Sequence, residues 1–309
     1  MSATAGPDFE GMRLDQAAAG LFPDFSRARL QKWLRSGELT VDGRVLKATY
    51  RISGGESLCL DAEPERQNLV LPENIPLDLI HADDDLLVLN KPAGLVVHPA
   101  AGNPDGTLQN ALLHFDPGLG TLPRSGIVHR LDKETSGVMV VARSLRAHNS
   151  LVEQLQTRKM SRVYEAVANG ETRAKGTIEA AIGRHPRDRK RMAVVPSGKP
   201  ATTHFQLIRR FRGFSHLEVS LNTGRTHQIR VHMQHTGHPL VGDPVYGRPK
   251  KAEKGLSEAL IEAIRTFPRQ ALHARKLSLF HPDNSGQVNF EAPRPADLEG
   301  LLAILAREA

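Results

Sequence analysis

Short apolar runs of strand length dominate the chain from Leu77 onward, with no regular alternation of strand and helix patterns between them. Leu86 to Leu89, Ile127 to Leu131, Val138 to Ala142, Ser161 to Ala168, Thr177 to Ile182, Thr202 to Ile208 and His216 to Leu221 are each bounded by turn formers. Helical spacing is confined to brief stretches: Thr107 to Phe115, the series His148, Leu151, Val152 and Leu155, then His227 to Gln234, and Pro295 to Glu308. Many strands and few helices in this order predict the α+β class, with a mixed or antiparallel sheet.

A smaller unit precedes it. Arg13 to Leu21 suits a first helix, Pro23 and Asp24 break it, Ser26 is placed to cap a second, and Gly37 stops that one. Asp42-Gly43 between Leu39-Thr40-Val41 and Arg44-Val45-Leu46 predicts a hairpin, and Ser57 to Asp61 another strand. The stretch from Ala62 to Pro76 carries three prolines and little periodicity. The expected division is therefore a flexible start over 1–11, a compact unit over 12–62, a linker over 63–76 and a main domain over 77–309.

Of 309 residues, 41 are Lys or Arg and 34 Asp or Glu, a formal charge of +7. Such a balance favours a polyanionic partner. The excess lies wholly downstream of residue 72, although SRARLQKWLR (26–35) could present Arg27, Gln31 and Arg35 on one face opposite Leu30, Trp33 and Leu34, with Lys32 close by. A charged share of 24% and a hydrophobic share of 39% exclude a wholly disordered or coiled-coil chain. Cys59 is the single cysteine, so neither a disulfide framework nor a cysteine-built metal site is available. No run approaches the roughly 18 apolar residues of a membrane span. A cytoplasmic chain without membrane contact is the expectation.

Two loops are equipped for chemistry. GIVHRLDKETSGVMVVA (126–142) holds a polar insert between two apolar runs, so a rigid sheet would present the Asp132 carboxylate at one turn, with Arg130 beside it. Asn222-Thr223-Gly224-Arg225-Thr226-His227 ends another strand and opens a helix, a place for gripping a phosphate or pairing with a carboxylate. Arg184, Arg187, Arg189, Lys190 and Arg191 form a basic cluster suited to phosphates. His227, His232, His235 and His238 lack a His-Glu-x-x-His arrangement and a nearby thiol, so no metal is expected.

HRLDKETSG (129–137), SRVYEAV (161–167), NTGRTHQIRVHMQHTGHPLVGDPVYG (222–247) and RQALHA (269–274) resemble the ordered motifs of the RluA-type pseudouridine synthases. GRHPRDRKRMAV (183–194) and GKPATTHF (198–205) are similar to the RluD subgroup, and residues 12–62 resemble the S4 RNA-binding module that precedes the catalytic domain there. The resemblance implies a long, bent, mixed sheet flanked by helices and loops, and isomerisation of uridine to pseudouridine in large-subunit (23S) ribosomal RNA. It implies Asp132 as the catalytic aspartate, attacking the ribose or abstracting its 2′-hydrogen. It further implies Tyr164 stacked on uracil and placed to help remove the C5 proton, Arg225 paired with Asp132, and Arg130 entering the space left by the everted nucleotide. The reaction needs no cofactor, and a monomer is expected. A non-catalytic ribosome-assembly factor, a synthase acting on tRNA or another rRNA site, and a base-removing hydrolase stand as alternatives.

Overall fold

The structure, a computed structural model, describes residues 1–23, 25, 27–62, 70–100, 102–188, 190–247 and 255–308. The chain divides into two units, Met1–Leu69 and Val70–Ala309.

In the first unit, strands β1 (Ser2–Thr4), β2 (Leu39–Val41) and β3 (Ser57–Leu60) form an antiparallel sheet in the order β1-β3-β2, beside helices α1 (Leu14–Leu21) and α2 (Arg27–Ser36). Leu14, Ala17 and Ala18 of α1 and Leu30, Trp33 and Leu34 of α2 recur at helical spacing and are buried in one core with Leu39, Leu58 and Leu60. Each such leucine contributes roughly 1.5–3 kcal/mol by leaving water. The opening residues, expected to be flexible, instead supply strand β1 and a buried Ala5, and the Met1 amino group donates to the Leu60 carbonyl. Asp42 and Gly43 take the positive φ angles (47° and 75°) of a tight hairpin turn, but pairing stops at Val41–Arg44. The return arm is drawn elsewhere: Ala48 and Tyr50 offer their carbonyls to the Asp15 and Leu14 amides. The anticipated cap, Ser26, lies outside the described residues.

The second unit contains, in order, β4 (Leu79–Ala82), β5 (Leu86–Lys91), α3 (Leu108–Phe115), β6 (Ser136–Ala142), α4 (Leu145–Gln156), β7 (Ser161–Asn169), β8 (Lys175–Glu179), β9 (Ile182–Arg184) and β10 (Met192–Val194). There follow β11 (Thr202–Phe211), β12 (Phe214–Leu221), α5 (Gln228–His235), α6 (Glu258–Thr266), β13 (Leu272–Phe280), β14 (Gln287–Glu291) and α7 (Ala296–Arg307). One mixed sheet runs β4-β5-β6-β13-β7-β12-β11-β8, with β14 added beside the second half of β13; β9 and β10 pair separately. Among the described strands, β6 and β13 form the one parallel pair, His273 opposite Ser136 and Ala274 opposite Gly137. Every residue of β6 is buried, which explains its unbroken apolar run.

Two strand expectations are corrected, and one central strand was not expected. Ile127 to Leu131 makes a single bridge, Ile127 to Val141, because the backbone arrives through a tight turn with Arg124 and Ser125 in the left-handed region. Thr177 to Ile182 is split between β8 and β9. Strand β13, flanked by β6 and β7 near the middle of the sheet, comes from a stretch whose interspersed Arg275 and Lys276 hide the pattern.

Candidate active site

Asp132 stands in the turn that leads into β6, and that turn is held at successive residues. The buried Lys91 ammonium donates to the carbonyls of Pro92 (2.7 Å), Leu95 (2.9 Å) and Lys133 (3.0 Å). Arg269 Nη1 donates to the Glu134 carbonyl (3.2 Å), Gln270 Nε2 to Thr135 Oγ1 (3.1 Å), and the Ser136 hydroxyl lies 3.0 Å from His273 Nδ1. Gly137 makes the arrangement possible. Its φ is +118°, and a Cβ there would sit 2.2 Å from the Ala274 carbonyl oxygen, so only glycine lets β13 approach this closely.

The turn opens onto a cavity of about 920 Å³ whose walls include Asp132, Tyr164, Arg130, Arg225, His227 and Arg230. Asp132 Oδ2 accepts from Arg230 Nη1 at 3.0 Å. The same guanidinium donates through Nε and Nη2 to both oxygens of Asp243 (2.7 and 2.9 Å), a bidentate pair. Asp243 Oδ1 also accepts the Val245 and Tyr246 amides. Burial alone would raise the Asp243 pKa, but Arg230 outweighs it and holds the carboxyl below its usual range; burial opposes the Arg230 charge and Asp243 more than restores it.

The expected partner of Asp132 was Arg225, and the structure corrects this. Arg225 is exposed, its Nε donating to the Pro200 carbonyl (3.3 Å) and its amide to Gln228 Oε1 (3.0 Å). Gln228 also binds Thr223 and the Thr202 carbonyl, so the loop closes on itself before α5 begins. The first turn of α5 then carries Arg230 to Asp132. The available signal was helical: Arg230 is three residues beyond His227 and shares its face.

Tyr164, on β7 opposite Val219 and Ala274, is buried at the cavity wall. Burial raises its hydroxyl pKa, Arg162 opposing and Asp132 adding to the effect. Arg130 is exposed on the wall and forms no ion pair with Asp132. His129, beside it, accepts the Val140 amide at Nε2, and burial lowers its pKa to about 3, keeping it neutral.

In the basic cluster, Arg184, Arg187 and Lys190 are exposed on the β9–β10 hairpin, Arg191 lies over the Tyr246 ring (5.4 Å), and Arg189 falls outside the described residues. In the first unit, Arg27, Lys32 and Arg35 are all exposed, and Arg27, expected on an open basic face, is committed with Gln31 to the buried Asp15 carboxylate. Two of the histidines in and near α5 are used internally, His232 bonding Thr203 Oγ1 and the Ala180 carbonyl and His238, just beyond α5, the Asn169 carbonyl, while His235 is exposed. Among the described residues, no group of three His, Cys, Asp or Glu is arranged to hold a metal ion.

A family model described as RNA pseudouridylate synthase matches residues 85–235, the segment containing Asp132, Tyr164 and Arg230. Over 298 residues the chain is 52% identical to the ribosomal large subunit pseudouridine synthase D of Pseudomonas aeruginosa, covering 96% of this chain and 93% of that relative. The chain belongs to the RNA pseudouridylate synthase family. It is thus an RNA-modifying isomerase. The relative of the same name from Xylella fastidiosa is 52% identical over 299 residues, 97% of this pseudouridylate synthase and 90% of that chain. Among solved structures, human RNA Pseudouridylate Synthase Domain Containing 1 is similar at 28% identity with a TM-score of 0.57, covering 75% of this synthase and 89% of that chain. Human RNA Pseudouridylate Synthase Domain Containing 4 gives 25% identity and 0.56, covering 74% and 93%.

Proposed function

We propose that this pseudouridylate synthase isomerises uridines of large-subunit (23S) ribosomal RNA, as a cytoplasmic monomer, with Asp132 as the catalytic residue. The observation that carries the chemistry is a lone carboxylate among the residues lining the cavity: Asp132 stands on the wall with Arg230 on its Oδ2, and both oxygens of Asp243 are spoken for. A hydrolysing glycosidase usually needs two carboxylates, acid and base or nucleophile. An isomerase needs one. The N1–C1′ bond breaks, the uracil turns, C5 joins C1′, and the proton lost from C5 is balanced by one gained at N1. Asp132 starts this either by attacking the sugar or by taking its 2′-hydrogen.

Tyr164, whose hydroxyl pKa burial raises further above its ordinary value, suits stacking against the uracil better than service as a base. Arg130, exposed and without a carboxylate partner among the described residues, fills the gap when the uridine leaves its stack, a step that costs a few kcal/mol. Arg184, Arg187, Arg189, Lys190 and Arg191 bind phosphates around the target, and Arg225 does so at the cavity mouth. The first unit acts as an S4-like RNA-binding module through Lys32 and Arg35, with Arg27 holding α2 against α1. No described helix is long and apolar enough to cross a membrane.

Incubating ribosomal RNA with the protein should yield a carbon-linked nucleoside of unchanged mass. Asp132→Asn should abolish it while leaving RNA affinity intact. Release of free uracil, or normal turnover by the variant, would overturn the proposal.

A further inference from the structure

Tyr246 is 1% exposed, and its ring lies between two guanidinium groups, Arg191 at 5.4 Å and Arg230 at 5.0 Å. Its hydroxyl accepts the Met192 amide (2.9 Å) and lies 2.8 Å from His227 Nδ1. A buried hydroxyl must place its own proton, and among the described residues Nδ1 is the one acceptor within reach. Tyr246 therefore donates to Nδ1, and the imidazole carries its proton on Nε2. Burial, helped by Arg230 and opposed by Asp132, keeps that ring neutral by lowering its pKa.

Nε2 lies 3.9 Å from Asp132 Oδ1, on the cavity wall. The gap is too wide for a direct hydrogen bond, and it is wide enough for one oxygen about 2.8 Å from each atom. That oxygen must accept from Nε2–H and donate to Oδ1, which a hydroxyl does and an ether oxygen does not. An internal RNA nucleotide has its 3′ and 5′ oxygens esterified, leaving the 2′-hydroxyl as its free sugar hydroxyl, next to the reacting C1′. His227 also holds a left-handed backbone (φ +57°), an uncommon conformation for a residue other than glycine and one found where a side chain must be aimed.

On the reading of the cavity as a uridine-isomerising site, we infer that His227 Nε2–H and Asp132 Oδ1 together clamp the 2′-hydroxyl of the target ribose, with Tyr246 as the positioning residue that fixes the His227 tautomer. The clamp makes the site selective for ribose over deoxyribose at the one nucleotide it modifies. Because Met192 and Arg191 belong to the β9–β10 hairpin, that hairpin also supports Tyr246 from behind.

The test is single-turnover conversion of a large-subunit RNA fragment with either uridine or 2′-deoxyuridine at a mapped target, by the wild-type protein and by His227→Ala, His227→Gln and Tyr246→Phe. The deoxy substitution should slow the wild type about tenfold, and His227→Ala should slow the ribose target by a similar factor at unchanged RNA affinity. The two losses should not multiply, because each removes the same contact. His227→Gln, which keeps an N–H donor at similar reach, should recover part of the rate, and Tyr246→Phe should show a smaller, equally non-multiplying loss. Losses that multiply in full would overturn the clamp, and a Tyr246→Phe protein with wild-type ribose preference would overturn the role of Tyr246. A wild-type protein that makes no pseudouridine in the all-ribose RNA would instead overturn the underlying function.

Discussion

Arg230 serves two carboxylates at once, and they differ in what they lose without it. Asp243 has no exposed side-chain surface, so Arg230→Met would strand a buried charge and destabilise the protein by roughly 3–5 kcal/mol in urea denaturation. The same variant leaves Asp132 unoriented, and single-turnover conversion should fall by about a hundredfold or more. Arg225→Ala removes an exposed group with one long hydrogen bond, so stability should stay within about 0.5 kcal/mol while RNA affinity weakens. Collapse of turnover in Arg225→Ala, with Arg230→Met mild, would reverse these roles. A pH effect is built in further away, where Asp83 accepts from His281 and His281 faces Asp283. Burial works against the His281 charge, but Asp283 and Asp83 outweigh it and raise its pKa. A raised histidine contributes stability that is full below its unfolded value, about 6.5, and is lost as pH rises through the folded value. His281→Gln should therefore lower the urea midpoint at pH 5.5 and leave it nearly unchanged at pH 9. At this scale Asp132 stood out as part of a polar insert between apolar runs, and Tyr164 was marked by the family resemblance alone; Arg230 was not legible, because its partners are 98 residues before it and 13 after.

The seam between β6 and β13 is the element on which the site depends. Gly137→Ala would drive a Cβ into the Ala274 carbonyl and impose an unfavourable φ, so we expect at least 3 kcal/mol of destabilisation and loss of conversion together. Lys91→Met should act from the other side, leaving the Pro92, Leu95 and Lys133 carbonyls without their donor and lowering the thermal midpoint, at a cost of about 3 kcal/mol or more. Burial lowers the Lys91 pKa to about 7, against the pull of Glu134 and Asp132. Apolar periodicity located β5, β6, β7, β11 and β12, as well as the helices α3, α4, α5 and α7. It failed for β13, where Arg275 and Lys276 interrupt the run to reach Glu165 and Glu291 across the sheet. It also over-read Ile127 to Leu131, where Ile127 and Leu131 fill the core although the backbone meets the sheet at a single bridge.

For the whole molecule, charge decides how strongly RNA is held. Replacing Arg184, Arg187 and Lys190 with Gln should weaken binding and reduce the slope of log affinity against log salt by up to about 2, at roughly 0.7 per single-strand phosphate contact. An unchanged slope would remove the β9–β10 hairpin from the interface. The division into two units was visible as a change in composition, yet the start of the chain, polar and rich in small residues, gave no hint that it would pair with β3. What the sequence by itself determined were the local matters: strand-length apolar runs, a basic excess, and a polar turn bearing Asp132 and Glu134, since each depends on neighbours a few positions apart. Only the tertiary structure decided that β13 enters beside β6, that Arg230 rather than Arg225 meets Asp132, and that Tyr246 reaches His227. Those pairings join distant segments, and they follow from how backbone and side chains pack once the core has closed.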